Sequence, residues 1–166
     1  DKSESMGICF LAGKPYAEFL SQQGITMPSG NIITECGEVC GHHNGIARYT
    51  IGQRRGEGIP EGLRVIGIDA KQNKIIVGPN SKLYYNRIIV NECNIVDTNE
   101  LLTAGDITIK IRGIGRNPQL SVSVKACDEG YIIPTNDPAW APALGQPLVF
   151  YRNNWVIGGG IVVGFN

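Results

Sequence analysis

The chain has 166 residues, 42% hydrophobic and 18% charged, a globular composition that excludes a disordered polymer and can bury a core as one domain or two small ones. Fifteen basic and fifteen acidic residues cancel, so a surface for nucleic acid must be local. No apolar run approaches the roughly 20 residues that span a bilayer and no secretory leader is visible, so no membrane partner and a cytoplasmic location are expected.

In chain order, the opening Asp1-Lys2-Ser3-Glu4-Ser5 lacks an initiator Met, which reads as a chain cut from something longer. Tyr16, Phe19 and Leu20 recur at helical spacing and predict one helix over Lys14 to Gln23, with Gly24 as its C-terminal cap and Pro28 beyond. After it, β signals dominate. A hairpin is expected over Gly30 to Val39, with its turn near Glu35-Cys36-Gly37. A second joins Leu63–Asp69 to Lys74–Gly78 through Ala70-Lys71-Gln72-Asn73. Leu83 to Val90 is a further strand leading into Asn91-Glu92-Cys93-Asn94, read as a domain junction.

Beyond that point alternation is cleaner. Ile107, Ile109 and Ile111 share one face and Lys110 and Arg112 the other, while Leu120, Val122, Val124 and Ala126 alternate with polar neighbours. Leu148–Tyr151 and Trp155–Val163 form a last hairpin around Asn153-Asn154. The fold class expected is mainly β: residues 1–27 a loop and short helix, 28–90 a small central β-domain, and 91–166 a C-terminal antiparallel β-barrel.

Four features could carry chemistry. Cys9 stands in Gly7-Ile8-Cys9-Phe10 just before the helix; a thiol needs a basic or helix-dipole environment to become a strong nucleophile, and on composition alone a buried structural cysteine is the commoner reading. Cys36-x-x-x-Cys40 with His42-His43 lacks metal-site spacing, so the expectation is no metal, two small buried cysteines on a hairpin, and solvated or RNA-facing histidines. Tyr49-Thr50-Ile51-Gly52-Gln53-Arg54-Arg55-Gly56 combines an aromatic, two arginines and glycines that let a ligand approach; phosphate binding and a plain solvated turn weigh equally. Finally, Ile107 to Ala126 carries Lys110, Arg112, Arg116 and Lys125 and no acid, either a basic patch or a solvated strand face. Gly158-Gly159-Gly160 inside an apolar strand reads as a bend or bulge, not as a phosphate loop. The five cysteines, odd in number and scattered, fit reduced thiols.

Three blocks together resemble the tRNA-specific 2-thiouridylase family, whose older name is tRNA methyltransferase. Ser5-Met6-Gly7-Ile8-Cys9-Phe10 is similar to its S-x-G-I-C-F segment. Gly41-His42-His43-Asn44-Gly45 with Tyr49 to Ile59 resembles G-x-H-x-G followed by Y-T-I-G-Q-R-x-G-x-G-I. Pro142 to Tyr151 with Gly158-Gly159-Gly160-Ile161 is similar to P-G-Q-x-x-V-F-Y and G-G-G-x-I. The resemblance implies a sulfurtransferase that makes 2-thiouridine at the wobble position (U34) of tRNA, with a translation-factor-like C-terminal barrel. Cys9 matches the catalytic cysteine that carries sulfur as a persulfide. His43, Tyr49, Gln53, Arg54, Arg55, Lys110, Arg112 and Arg116 are the expected tRNA contacts. Implied partners are tRNA, a persulfide-donating sulfur-relay protein and an N-terminal adenylating domain of the same chain. ATP and Mg²⁺ serve that domain; no cofactor is expected in the present sequence, and alone it should not complete thiolation. The family's R-Y-R strand end is here Arg112-Gly113-Ile114-Gly115-Arg116, which keeps the charges and loses the stacking tyrosine. The alternative is a non-catalytic RNA- or protein-binding β-barrel module, against which the Gly-Ile-Cys-Phe block argues.

Overall fold

The computed structural model describes residues 16–111 and 120–166. Cys9, Arg112 and Arg116 lie outside the described residues. The chain divides into two compact units, one ending at Asn80 and the next beginning at Ser81.

In the first unit, helix α1 (Tyr16–Gln22) ends where expected. The Ile25 amide reaches back to the Leu20 carbonyl and the Gly24 amide to Ser21, and Gly24 takes φ 73°, a left-handed cap that satisfies carbonyls the helix leaves open. Four strands follow: β1 (Gly30–Thr34), β2 (Val39–His43), β3 (Arg64–Asp69) and β4 (Lys74–Gly78). They form one sheet in the order β2-β1-β4-β3, with β1 parallel to β4 and the two hairpins antiparallel. Ile32, Val65, Ile75 and Val77 are its buried face, and Tyr49 closes the cluster from the loop between β2 and β3.

The second unit is an antiparallel sheet of seven strands: β5 (Tyr84–Ile95), β6 (Ile107–Lys110), β7 (Leu120–Ser121), β8 (Lys125–Cys127), β9 (Gly130–Trp140), β10 (Pro147–Arg152) and β11 (Trp155–Phe165). Their order is β7-β6-β10-β11-β5-β9-β8. The sheet curls, and a bridge between Val122 and Thr135 ties the β7 side to β9, which removes exposed edge. Phe150, Ile88, Ile109, Ile133 and Leu148 fill the interior. A short helix α2 (Thr98–Thr103) follows β5, its first turn capped by the Asp97 carboxylate, which accepts from the Glu100 amide at 3.0 Å.

The fold is mainly β, as the strand pattern indicates, and several details differ from the sequence reading: α2 is unforeseen, and the first hairpin runs on to His43 instead of stopping at Val39. Asn91 to Asn94 is not a junction but lies within β5, towards its end: the ladder to β11 slips there, Glu92 takes φ 48°, and Gly160 opposite leaves room for the Cys93 thiol. A polar cluster that looks like a turn is a β-bulge. The run from Leu120 to Ala126 is not continuous; Leu120, Val122 and Val124 are buried but Ala126 is exposed, and the ladder breaks after Ser121. β9 has no counterpart in the sequence reading, because Pro134 and Pro138 flank Asn136-Asp137. The strand absorbs them in a wide bulge: Pro134 lies opposite Arg87 and Ala139 opposite Tyr85, with the intervening residues looped out. The glycine triplet is a bulge as read, where both neighbours of β11 change register.

Candidate nucleic-acid interface

The end of β2 and the segment between β2 and β3 carry five of the expected contacts, which are of two kinds. His43 and Tyr49 are buried and Gln53 is half-buried, and their side chains hold the loop; Arg54 and Arg55 face out.

His43, at the end of β2, is only 1% exposed. Its Nε2 lies 3.1 Å from the Asn73 carbonyl, and its Nδ1 accepts from the Gly45 amide at 3.1 Å, so the ring is the neutral tautomer with its proton on Nε2. With both nitrogens occupied inside the protein, it is neither solvated nor placed to touch RNA. His42 next to it is exposed and near the Asn31 side chain. Tyr49 packs edge-on to His43, is 6% exposed and donates its hydroxyl to the Glu57 carbonyl at 2.5 Å. Burial pushes its hydroxyl pKa up, with the Glu57 carboxylate adding to the rise and Arg48 opposing it.

Gln53 is a clamp across the turn. Its Oε1 accepts from the Thr50 amide at 3.0 Å and its Nε2 donates to the Arg55 carbonyl at 2.8 Å. The backbone on either side is sewn to β3: the Gly52 amide donates to Val65, the Val65 amide to Gln53, and the Arg64 guanidinium to the Gly52 carbonyl. Gly52 takes φ 87°, a conformation that a side chain would oppose. The far end of the loop is held by Asn44, whose amide donates to the Glu57 carboxylate at 2.9 Å. Gly58 then passes so close to β2 that a Cβ there would strike the His42 carbonyl, and one on Gly41 would strike the Gly58 carbonyl.

On this frame Arg54 and Arg55 are exposed, and neither guanidinium has a hydrogen-bond or ion-pair partner among the described residues. Two adjacent guanidiniums on a rigid loop, free of internal carboxylates, can do one thing well: pair with external phosphate or carboxylate oxygens. The organisers Asn44, Glu57 and Arg64 are not singled out by the sequence, although Asn44 sits within the Gly-His-His-Asn-Gly block.

Comparison with known proteins decides the family. Residues 17–79 match the model of the tRNA methyl transferase PRC-barrel domain and residues 85–162 that of the aminomethyltransferase beta-barrel domain. The chain is 38% identical to a tRNA-specific 2-thiouridylase MnmA of Natranaerobius thermophilus, over 98% of this chain and 45% of that protein. It is 36% identical to one of Neorickettsia sennetsu and 34% identical to one of Rhodospirillum centenum, each over 98% of this chain and 44% of the relative. The chain belongs to the tRNA-specific 2-thiouridylase family. It spans about 45% of the length of the first of these relatives.

Of the other expected contacts, Lys110 is half-buried at the end of β6 opposite Val149; Lys125, which belongs to the same basic stretch, is exposed on β8. Among the described cysteines, Cys36, Cys40 and Cys127 are exposed, which corrects the expectation of a buried Cys36 and Cys40. The hairpin turn and a bulge turn both side chains out of the sheet: Ile33 pairs with Val39 and Ile32 with Gly41, which leaves Cys40 as the extra residue. Partial burial nonetheless pushes the Cys40 thiol pKa up, against a hydrogen bond to backbone that lowers it. Burial also raises Cys93, with Cys127 adding to the rise. A raised pKa lowers the thiolate fraction at neutral pH, so neither Cys40 nor Cys93 has the surroundings of an activated nucleophile. No group of three or more metal-ligating side chains gathers among the described residues. No helix there is long and apolar enough to cross a membrane.

Proposed function

We propose that this chain is the tRNA-holding and sulfur-carrying part of a tRNA-uridine 2-sulfurtransferase acting on the wobble uridine. The observation that carries the reading is the loop from Tyr49 to Ile59, in which the side chains of Tyr49 and Gln53 hold the backbone and two unpaired arginines are left to solvent. Phosphate contacts of this kind give affinity and register on an RNA without reading its sequence. Family membership supplies the substrate class: relatives that align over nearly the whole chain carry the name tRNA-specific 2-thiouridylase.

In this proposal Cys9 accepts sulfur from a persulfide-donating protein. Its terminal sulfur then attacks C2 of a uridine whose oxygen has been adenylated, AMP leaves with that oxygen, and a second cysteine thiol attacks the Cys9 sulfur, breaking the S–S bond to free 2-thiouridine and leaving Cys9 in a disulfide. ATP and Mg²⁺ supply the adenylation at a separate domain, and no residue described above is assigned to hold them. Arg54 and Arg55, with Lys110, Arg112 and Arg116, neutralise phosphates of the bound tRNA, and the reaction takes place in the cytoplasm. The Cys40 and Cys93 thiols are shifted away from reactivity and are given no part in the chemistry.

The test uses the full-length protein with ATP, a persulfide donor and unmodified tRNA, with 2-thiouridine quantified by mass spectrometry. Wild type should form product, and Cys9→Ser should form none while still binding tRNA. Equal product from both would move the sulfur chemistry to another residue.

A further inference from the structure

Beside Arg54 and Arg55 the surface opens into a depression of about 390 Å³, lined by the two arginines, Ile59, Pro60, Glu61 and the glycines at 56 and 62. That volume is within the roughly 300–1,000 Å³ of small-ligand sites. We infer that this depression is a pocket for an unstacked guanine. The inference rests on the RNA reading above and extends it from phosphate contact to recognition of one base.

Its lining is mixed in a way that suits a nucleotide. Ile59 and Pro60 are half-buried and present an apolar surface on which a base can lie. Guanidinium planes also stack on bases while their N–H groups reach phosphate. Gly62 takes φ 82°, and the space where its Cβ would stand is empty, so the backbone at that wall is open to close approach. The pocket is also preformed: the Ile59 amide closes a turn onto Gly56 and the Leu63 amide one onto Pro60, each at 3.3 Å.

Glu61 selects the base. It is exposed, lines the same depression as two arginines, and yet pairs with neither among the described residues. Two positive charges and one negative, left unpaired in one hollow, are all available to a ligand. A carboxylate only accepts hydrogen bonds. Guanine sets two donors, N1–H and N2–H, side by side on its Watson–Crick edge and can meet a carboxylate with both. Adenine and cytosine each place a ring acceptor next to the amino donor, and uracil flanks its single N–H with two carbonyls, so each would set a lone pair against Glu61.

The experiment titrates the chain with GMP, IMP, AMP, CMP and UMP, and with short uridine RNAs that contain one guanine or none, followed by amide NMR shifts and fluorescence anisotropy. GMP should perturb Ile59, Glu61 and Gly62 and bind about tenfold tighter than UMP, a difference of about 1.4 kcal/mol. IMP, which lacks the N2 donor, should fall between them. Glu61→Gln should abolish the preference without weakening binding of the uridine RNA, because it removes a negative charge near the phosphates. A preference that survives Glu61→Gln, or equal binding of all five nucleotides, would overturn the inference. Salt-dependent RNA binding with no guanine preference would also overturn it while leaving the arginine reading intact. GMP bound here by a chain that binds no RNA would keep the pocket, make a free nucleotide its ligand and remove the RNA reading.

Discussion

At the scale of single residues, the loop from Tyr49 to Ile59 shows why a motif rich in polar groups is not a set of equivalent contacts. His43, Tyr49 and Gln53 each have hydrogen-bonding groups that sequence alone cannot assign to ligand or to backbone, and each is used internally. Arginine differs because its charge and length keep it in water unless an acid is near. Tyr49→Phe deletes the bond to the Glu57 carbonyl and should cost about 1 kcal/mol in chemical denaturation. The same substitution should alter alkaline behaviour. The folded state holds the Tyr49 proton above the ordinary value near 10, chiefly through burial. Its contribution is therefore complete below that value and is lost as pH rises through the folded-state pKa, because the unfolded chain ionises first. As pH rises above the ordinary tyrosine value near 10, wild type should lose more stability than Tyr49→Phe; identical slopes would mean that the hydroxyl is not held neutral by the fold.

At the scale of elements, the hairpins of the first unit are readable from alternation and from the turn residues between them. So is the helix cap at Gly24. β9 is not, because two prolines and Asn136-Asp137 carry turn signals that a wide bulge accommodates, and α2 is not, because six residues give too little periodicity. Its one local sign is Asp97 three residues ahead of Glu100, a capping pattern. The site is legible in part: the arginines and their glycines mark an exposed loop, while the inward role of His43 depends on Asn73, thirty residues away. Gly58 is the most demanding point in that loop, with φ 75° and β2 where a side chain would go. Gly58→Ala should destabilise the unit by more than about 1 kcal/mol and loosen the arginine loop, visible as faster amide exchange from Thr50 to Ile59. Unchanged exchange would show that the loop is held by its side-chain bonds alone.

At the scale of the molecule, each unit has its own apolar cluster, and the two belong to different architectures, a mixed four-stranded sheet and a curled antiparallel one. Phe150 is fully buried in the second, edge-on to Tyr131, and Phe150→Ala should cost about 3–5 kcal/mol in the stability of that unit. Zero net charge hides the division of labour, since carboxylates elsewhere balance a few free cations where they are needed. Arg152 illustrates the contrast with Arg54 and Arg55: it bonds Glu100 at 2.8 Å and Asp106 at 2.9 Å and is committed to the fold. The central claim is that the unpaired arginines hold tRNA, and the most direct measurement is tRNA affinity as a function of salt for wild type and for Arg54→Glu with Arg55→Glu. Each lost phosphate contact should flatten the logarithmic salt slope by about 0.7–0.9, so the double variant should bind more weakly and with a slope shallower by about 1.4–1.8. Equal affinity with an unchanged slope would contradict it.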